Sequence, residues 1–180
     1  MKSFQSTIFS LIIIISILLA NFLFAQQSTE EQKYLTPESI ITEIYQLVTF
    51  PPDTTPDWEK VKSLFIDDAV IVLRTSSTKM NVMNKEGFVD LFIRDIQKFN
   101  MEKTGFQEKI LQKKMTIIGD VAHCFVLYET SVPNSSNPPQ RGVDSFQLMK
   151  RNGRWWIVSV INEIPRPGVP IPEELQENEL

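Results

Sequence analysis

Apolar residues recur along this chain in three rhythms, and each predicts a different kind of element. The first is unbroken: Ile8 to Phe24 is almost wholly apolar, follows Lys2, and gives way after Ala25 to the polar run Gln26 to Glu31. The second has helical spacing. Ile40, Ile41, Ile44, Tyr45 and Val48 form one stripe behind Thr36-Pro37-Glu38, which reads as an N-cap, a proline at the first helical position and an acid in the first turn. Pro51-Pro52 ends that helix. A short second helix is predicted from Asp57, with Trp58, Val61, Leu64 and Phe65 inward, and a third from Lys85 to Phe99 behind Asn84, with Phe88, Leu91, Phe92, Asp95 and Ile96 near one stripe. Between them, Ala69 to Leu73 is β-rich, and Lys79 to Met83 is a short return strand.

From Gly105 onward the third rhythm, alternation, takes over. Gly119-Asp120 and Asn152-Gly153 are tight reversals, the latter the strongest short hairpin signal, since both residues must take positive φ. Counting back from Asn152-Gly153 places Lys150–Trp155, Leu148–Ile157, Phe146–Ser159, Asp144–Ile161 and Gly142–Glu163 on one face, with Val143–Asn162 on the other. Counting back from Gly119-Asp120 places Leu111, Met115, Ile117, Ala122, Cys124, Val126 and Tyr128 together, and His123, Phe125 and Leu127 opposite. Neither face of the second hairpin is cleanly polar, so both are expected to be covered. After Pro165 the chain is proline-rich, then acidic, and reads as an extended tail docked at most by Val169 and Ile171. Helices first and antiparallel strands after is an α+β order.

The leading block has the layout of a secretory signal peptide with cleavage near Ala25, and so predicts an exported, periplasmic or extracellular protein; the rival is an uncleaved membrane anchor, the only route to a membrane. The expected divisions are 1–25 signal peptide, 26–35 polar linker, 36–165 domain and 166–180 acidic tail. The net charge of −4 shows no basic cluster, so nucleic acid is a poor partner. One Cys and one His are too few for a His/Cys zinc site, and no other metal or cofactor is expected. His123 and Cys124, adjacent on a strand, point to opposite faces and make no nucleophilic pair.

The element order, with Trp58 to Val70 (WEKVKSLFIDDAV), Gly119 to Glu129 (GDVAHCFVLYE), Arg141 to Leu148 (RGVDSFQL) and Gly153 to Val160 (GRWWIVSV), resembles the nuclear transport factor 2-like (SnoaL-like) superfamily over roughly residues 36–172. The last two stretches look most like its uncharacterised exported bacterial branch. The resemblance implies a cone: a curved antiparallel sheet crossed by three helices, whose mouth holds a small ligand and whose outer face often dimerises. Some members, such as ketosteroid isomerases, are enzymes, but no motif carries their residues onto positions here, and fold alone does not give function.

With the more apolar face concave, Tyr128, Asp144 and Glu163 point inward as candidate donor and acid/base groups. The expected ligand pocket is Tyr45, Leu111, Tyr128, Phe146, Leu148, Trp155 and Ile157. Each has a plainer reading: the carboxylates pair with Arg141 or Arg166, Tyr45 is core with a wet tip, one of Trp155 and Trp156 is core and the other interface. His123 is a surface or interface histidine before it is a proton shuttle, and Asp67-Asp68 ends a helix before it serves as a base. Three functions fit: a binder of a small, largely apolar ligand or accessory module; an isomerase, cyclase or hydratase; a protein-interaction module using the outer sheet.

Overall fold

The computed structural model describes residues 33–176. The expectations about the signal segment, and about all of the linker but its last three residues, lie outside that span. The first helix, α1 (Pro37–Val48), is capped as its sequence demands, with Thr36 Oγ1 accepting from the Ser39 N–H at 3.2 Å, and its apolar stripe is buried. Helix α2 (Trp58–Lys62) is capped by Asp57. Strands β1 (Phe65–Arg74) and β2 (Met80–Met83) follow, then helix α3 (Lys85–Lys98) behind Asn84, and a turn of helix, α4 (Met101–Thr104), that the spacing did not predict. Four long strands complete the chain: β3 (Gln107–Ile118), β4 (Val121–Ser131), β5 (Gln140–Arg151) and β6 (Arg154–Glu163).

These make one sheet in the order β2-β1-β6-β5-β4-β3. It is mixed rather than wholly antiparallel, because β1 runs parallel to β6. Phe65, expected on the second helix, is already the first residue of β1, and the pairing with β6 is irregular between Phe65 and Val70. Asn152 and Gly153 do take positive φ (54° and 82°), and Arg151 faces Arg154.

Two register shifts reorganise what faces the helices. In β6 the pairing passes from Leu148–Ile157 to Gln147–Ser159, so Val158 is an extra residue. Beyond it Phe146 faces Val160, Asp144 faces Asn162, and Val143 faces Glu163. In β3 the pairing passes from Gln112–Leu127 to Ile110–Tyr128, so Leu111 is extra. Each bulge swaps the inward and outward sets for the rest of its strand. Ile161 is therefore 47% exposed while Asn162 is buried.

The concave face packs under the helices around Ile40, Ile44, Phe65, Ile71, Phe146, Leu148, Trp155 and Ile157. Tyr34, expected in the linker, belongs to the domain: it is 2% exposed, and its carbonyl accepts from the Trp155 N–H at 2.8 Å. The Arg154 guanidinium lies over both the Tyr34 and the Trp156 rings. The tail is docked more firmly than expected. A 3-10 turn, Glu173–Leu175, packs on β3 and β4, and Leu175 is buried, as is the outward-facing Leu127, whereas Val169 and Ile171 are only half-buried.

Candidate functional site

A cavity of about 590 Å³ opens between α1, α3 and the far half of the sheet. Its body is apolar and aromatic, with Phe65, Phe88, Phe92, Phe106 and Phe146 beside Ile44, Ile71 and Val160. Such a cleft, with few convergent polar groups, is the usual form of a small-molecule site.

The polar groups come from five elements. Tyr45 of α1 donates its hydroxyl to Asp144 Oδ2 at 2.6 Å. Asn162 of β6 donates from Nδ2 to Asp144 Oδ1 at 2.9 Å and to the Tyr128 hydroxyl at 2.7 Å. Sheet pairing sets Asp144 between Val126 and Asn162 and places Tyr128 directly opposite Gly142. A Cβ on Gly142 would lie 2.1 Å from the Tyr128 hydroxyl oxygen and 2.3 Å from Cζ, so only glycine lets the phenol lie flat over β5. Glu108 of β3, brought inward by the Leu111 bulge, lines the same cavity and has no side-chain hydrogen bond among the described residues.

Burial governs the protonation of this group. It pushes the Asp144 carboxyl up to about 6, against the pull of the hydrogen bonds from Tyr45 and Asn162, which favour the anion. It pushes Glu108 further, to about 8, with the neighbouring Asp144 charge adding to the rise. Both carboxyls therefore keep their protons to higher pH than ordinary side-chain acids, and the pair resists carrying two negative charges together. Both phenols are raised as well, by burial first and then by the Asp144 charge. Tyr128 accepts from Asn162, so its own proton remains available to donate. A carboxyl held by two donors, beside a phenol and a second carboxyl, can fix a ligand oxygen or exchange a proton with it.

The expected residues divide. Tyr45, Tyr128, Phe146 and Asp144 line the cavity. Leu148, Trp155 and Ile157 do not; they are packed at the narrow end of the core, 4% exposed or less. Leu111, the bulged residue, is also off the cavity. Glu163 is the clearest correction: after the Val158 bulge it faces outward, where it pairs with Arg74 at 2.5 Å and with Arg166, and these partners hold its carboxyl below its ordinary value against the opposing effect of desolvation. Sequence reasoning missed Asn162 and Glu108. A count from Phe106 instead of from the Gly119 turn would have put Phe106, Glu108 and Ile110 on one face; nothing in β6 marks the slip that brings Asn162 in.

Other candidates fall as their plainer readings have them. His123 lies on the outer face, its Nε2 3.0 Å from Ser145 Oγ and its ring edge-on to Phe125. Asp67 is exposed and bonded to Lys85 at 2.8 Å, away from the cavity. Among the described residues no group of three or more His, Cys, Asp or Glu side chains is placed to hold a metal.

Helices laid over one bent six-stranded sheet, with a cavity between them, define an α+β cone. No protein-family model and no curated protein matches the chain by sequence. Solved structures do match by shape. An NTF2-like protein with a cystatin-like fold from Novosphingobium aromaticivorans is 15% identical, with 81% of this chain and 87% of that one covered at a TM-score of 0.55. An NTF2-like protein of unknown function from Pseudomonas putida is 14% identical, with 77% and 88% covered at 0.57. The β subunit of a benzoate 1,2-dioxygenase from Burkholderia mallei is 16% identical, with 77% and 94% covered at 0.55. The chain has the nuclear transport factor 2-like fold. At these identities the likeness concerns fold alone.

Proposed function

We propose that this protein binds a small, largely apolar molecule in its cone. The observation that carries the reading is the aromatic cavity with the Tyr45–Asp144–Asn162–Tyr128 chain of hydrogen bonds along one wall. Keeping a carboxylate in an apolar wall costs stability, and a purely structural core would do better with hydrocarbon there. Native mass spectrometry of protein purified from its own host tests it. A co-purifying molecule of a few hundred daltons, released on denaturation and lost in a Phe146→Trp variant that fills the cavity, is the expected result. Ligand-free protein that no apolar compound stabilises would sink the reading.

A second reading, proton-transfer catalysis of the isomerase, cyclase or hydratase kind, is favoured by one feature: Asp144 and Tyr128 converge on a shared donor, Asn162 Nδ2. Glu163 has no part in it. Turnover that follows the ionisation of Asp144 and vanishes in Asp144→Asn would replace the binding role with this one. An accessory role has a precedent of fold in the dioxygenase subunit.

The chain is also proposed to be exported, on the layout of residues 1–25, and to pair with a second copy through the outer sheet, where Val70, Phe125 and Ile161 are exposed. N-terminal sequencing of mature protein starting near Gln26 supports the first. Sedimentation of a monomer at all concentrations would remove the second.

A further inference from the structure

We infer that the ligand is an amphipathic anion, seated with its apolar body in the aromatic cavity and its charged head between Lys79, Arg94 and Lys98 at the rim. The inference rests on the binding reading above and adds the chemical class.

The rim is built from two separate parts of the chain, the β1–β2 connection and the last turns of α3. Lys79, Arg94 and Lys98 are all exposed and all line the cavity. None of the three makes an ion pair among the described residues, although nine other basic side chains there do. Lys98 alone would say little, since a cation in the last turn of a helix offsets the helix dipole. Lys79 and Arg94 have no such duty. Arg74 also reaches the cavity, but its charge is held by Glu163. Asp95 is the opposing carboxylate of the rim, which leaves a net positive mouth.

The interior has the opposite sign. Asp144 and Glu108 line the same cavity, and neither forms an ion pair with a cation among the described residues. A carboxylate or phosphate driven inward would meet like charge in a medium that screens it poorly. The same group left at the rim meets three cations at about the depth where water still reaches it. The two ends therefore set a direction: hydrocarbon first, anion last. Phe99, 56% exposed at the rim with the Lys98 ammonium 4.9 Å from its ring centroid, offers an apolar collar below the head group.

Three probes with one hydrocarbon body and different heads decide it: dodecanoate, dodecanol and dodecylamine, below their micelle concentrations, by calorimetry at pH 7.5. Dodecanoate is expected to bind at least tenfold tighter than either of the others, with the margin shrinking as salt rises. In Arg94→Ala/Lys98→Ala, two exposed changes on a helix, dodecanoate and dodecanol should come within about threefold of each other. Equal binding of all three by the parent protein overturns the anion and leaves the apolar-ligand reading standing. Preference for dodecylamine also overturns it, and assigns the head to Asp144 and Glu108. No binding of any probe, with no co-purified molecule either, removes both readings together.

Discussion

Glu108 and Asp144 are costly residues, and their cost has a sign in pH. Both have folded-state pKa values raised above their ordinary ones, Asp144 to about 6 and Glu108 to about 8. At these two positions the folded protein thus binds more protons than the unfolded chain between roughly pH 4 and 8. Their contribution to stability is full below that window and is lost as pH rises through it. The Glu108→Gln variant keeps the shape and removes the charge. Chemical denaturation should find it more stable than the parent at pH 9, by on the order of 2 kcal/mol or more, and equal to it near pH 4.5. A variant equally or less stable at pH 9 would mean Glu108 is not held in a desolvated place. Gly142 tests the opposite constraint, space. Gly142→Ala should cost about 1–3 kcal/mol by overpacking, because the Tyr128 ring must leave its seat and its bond from Asn162. In a Tyr128→Val background the same change should cost far less, and an equal penalty there would place the clash elsewhere.

At the scale of elements, most of the fold was legible and part of the site was not, for one reason. Caps at Thr36, Asp57 and Asn84, the turn at Asn152-Gly153 and the stripes on α1 and α3 are local signals, and each element begins where its signal falls. Strand faces are legible only while pairing is regular. One extra residue at Val158 exchanged Ile161 for Asn162 and sent Glu163 out to Arg74; another at Leu111 brought in Glu108. Bulges arise from how a bent sheet accommodates its twist, which no two-residue alternation records. The parallel β1–β6 pairing was hidden likewise, since partner choice across the chain leaves no local mark. The docked tail carries its own prediction. Leu175→Ala should cost about 2–4 kcal/mol, as deletion of a buried leucine side chain does, although this residue does not line the cavity. A loss under half a kilocalorie per mole would show that the 3-10 turn is not held on β3 and β4.

Across the whole molecule, the proposed binding and the proposed association fall on different faces of one sheet. The concave face holds Asp144, Phe146 and Asn162, and the outer face shows Val70, Phe125 and Ile161 to solvent. Neighbouring residues on a strand serve opposite sides, so Ile161 and Asn162 separate the two roles by a single step along β6. Ile161→Lys should therefore abolish any dimer in sedimentation while leaving uptake of an apolar probe within about twofold. Loss of both together would mean that the cavity is formed only in the pair.

Where Tyr34 sits has a practical corollary. Its carbonyl is pinned to Trp155 at the start of β6, and Asn162 lies further along the same strand, roughly 20 Å away at the usual rise per residue. The attachment point at Lys33 thus lies beside the closed end of the cone. A bead, a carrier protein or a lipid bilayer attached there would hold the domain by its stem and leave the entrance facing outward, so, if the cavity binds as proposed, surface-immobilised protein should take up an apolar probe as readily as protein free in solution.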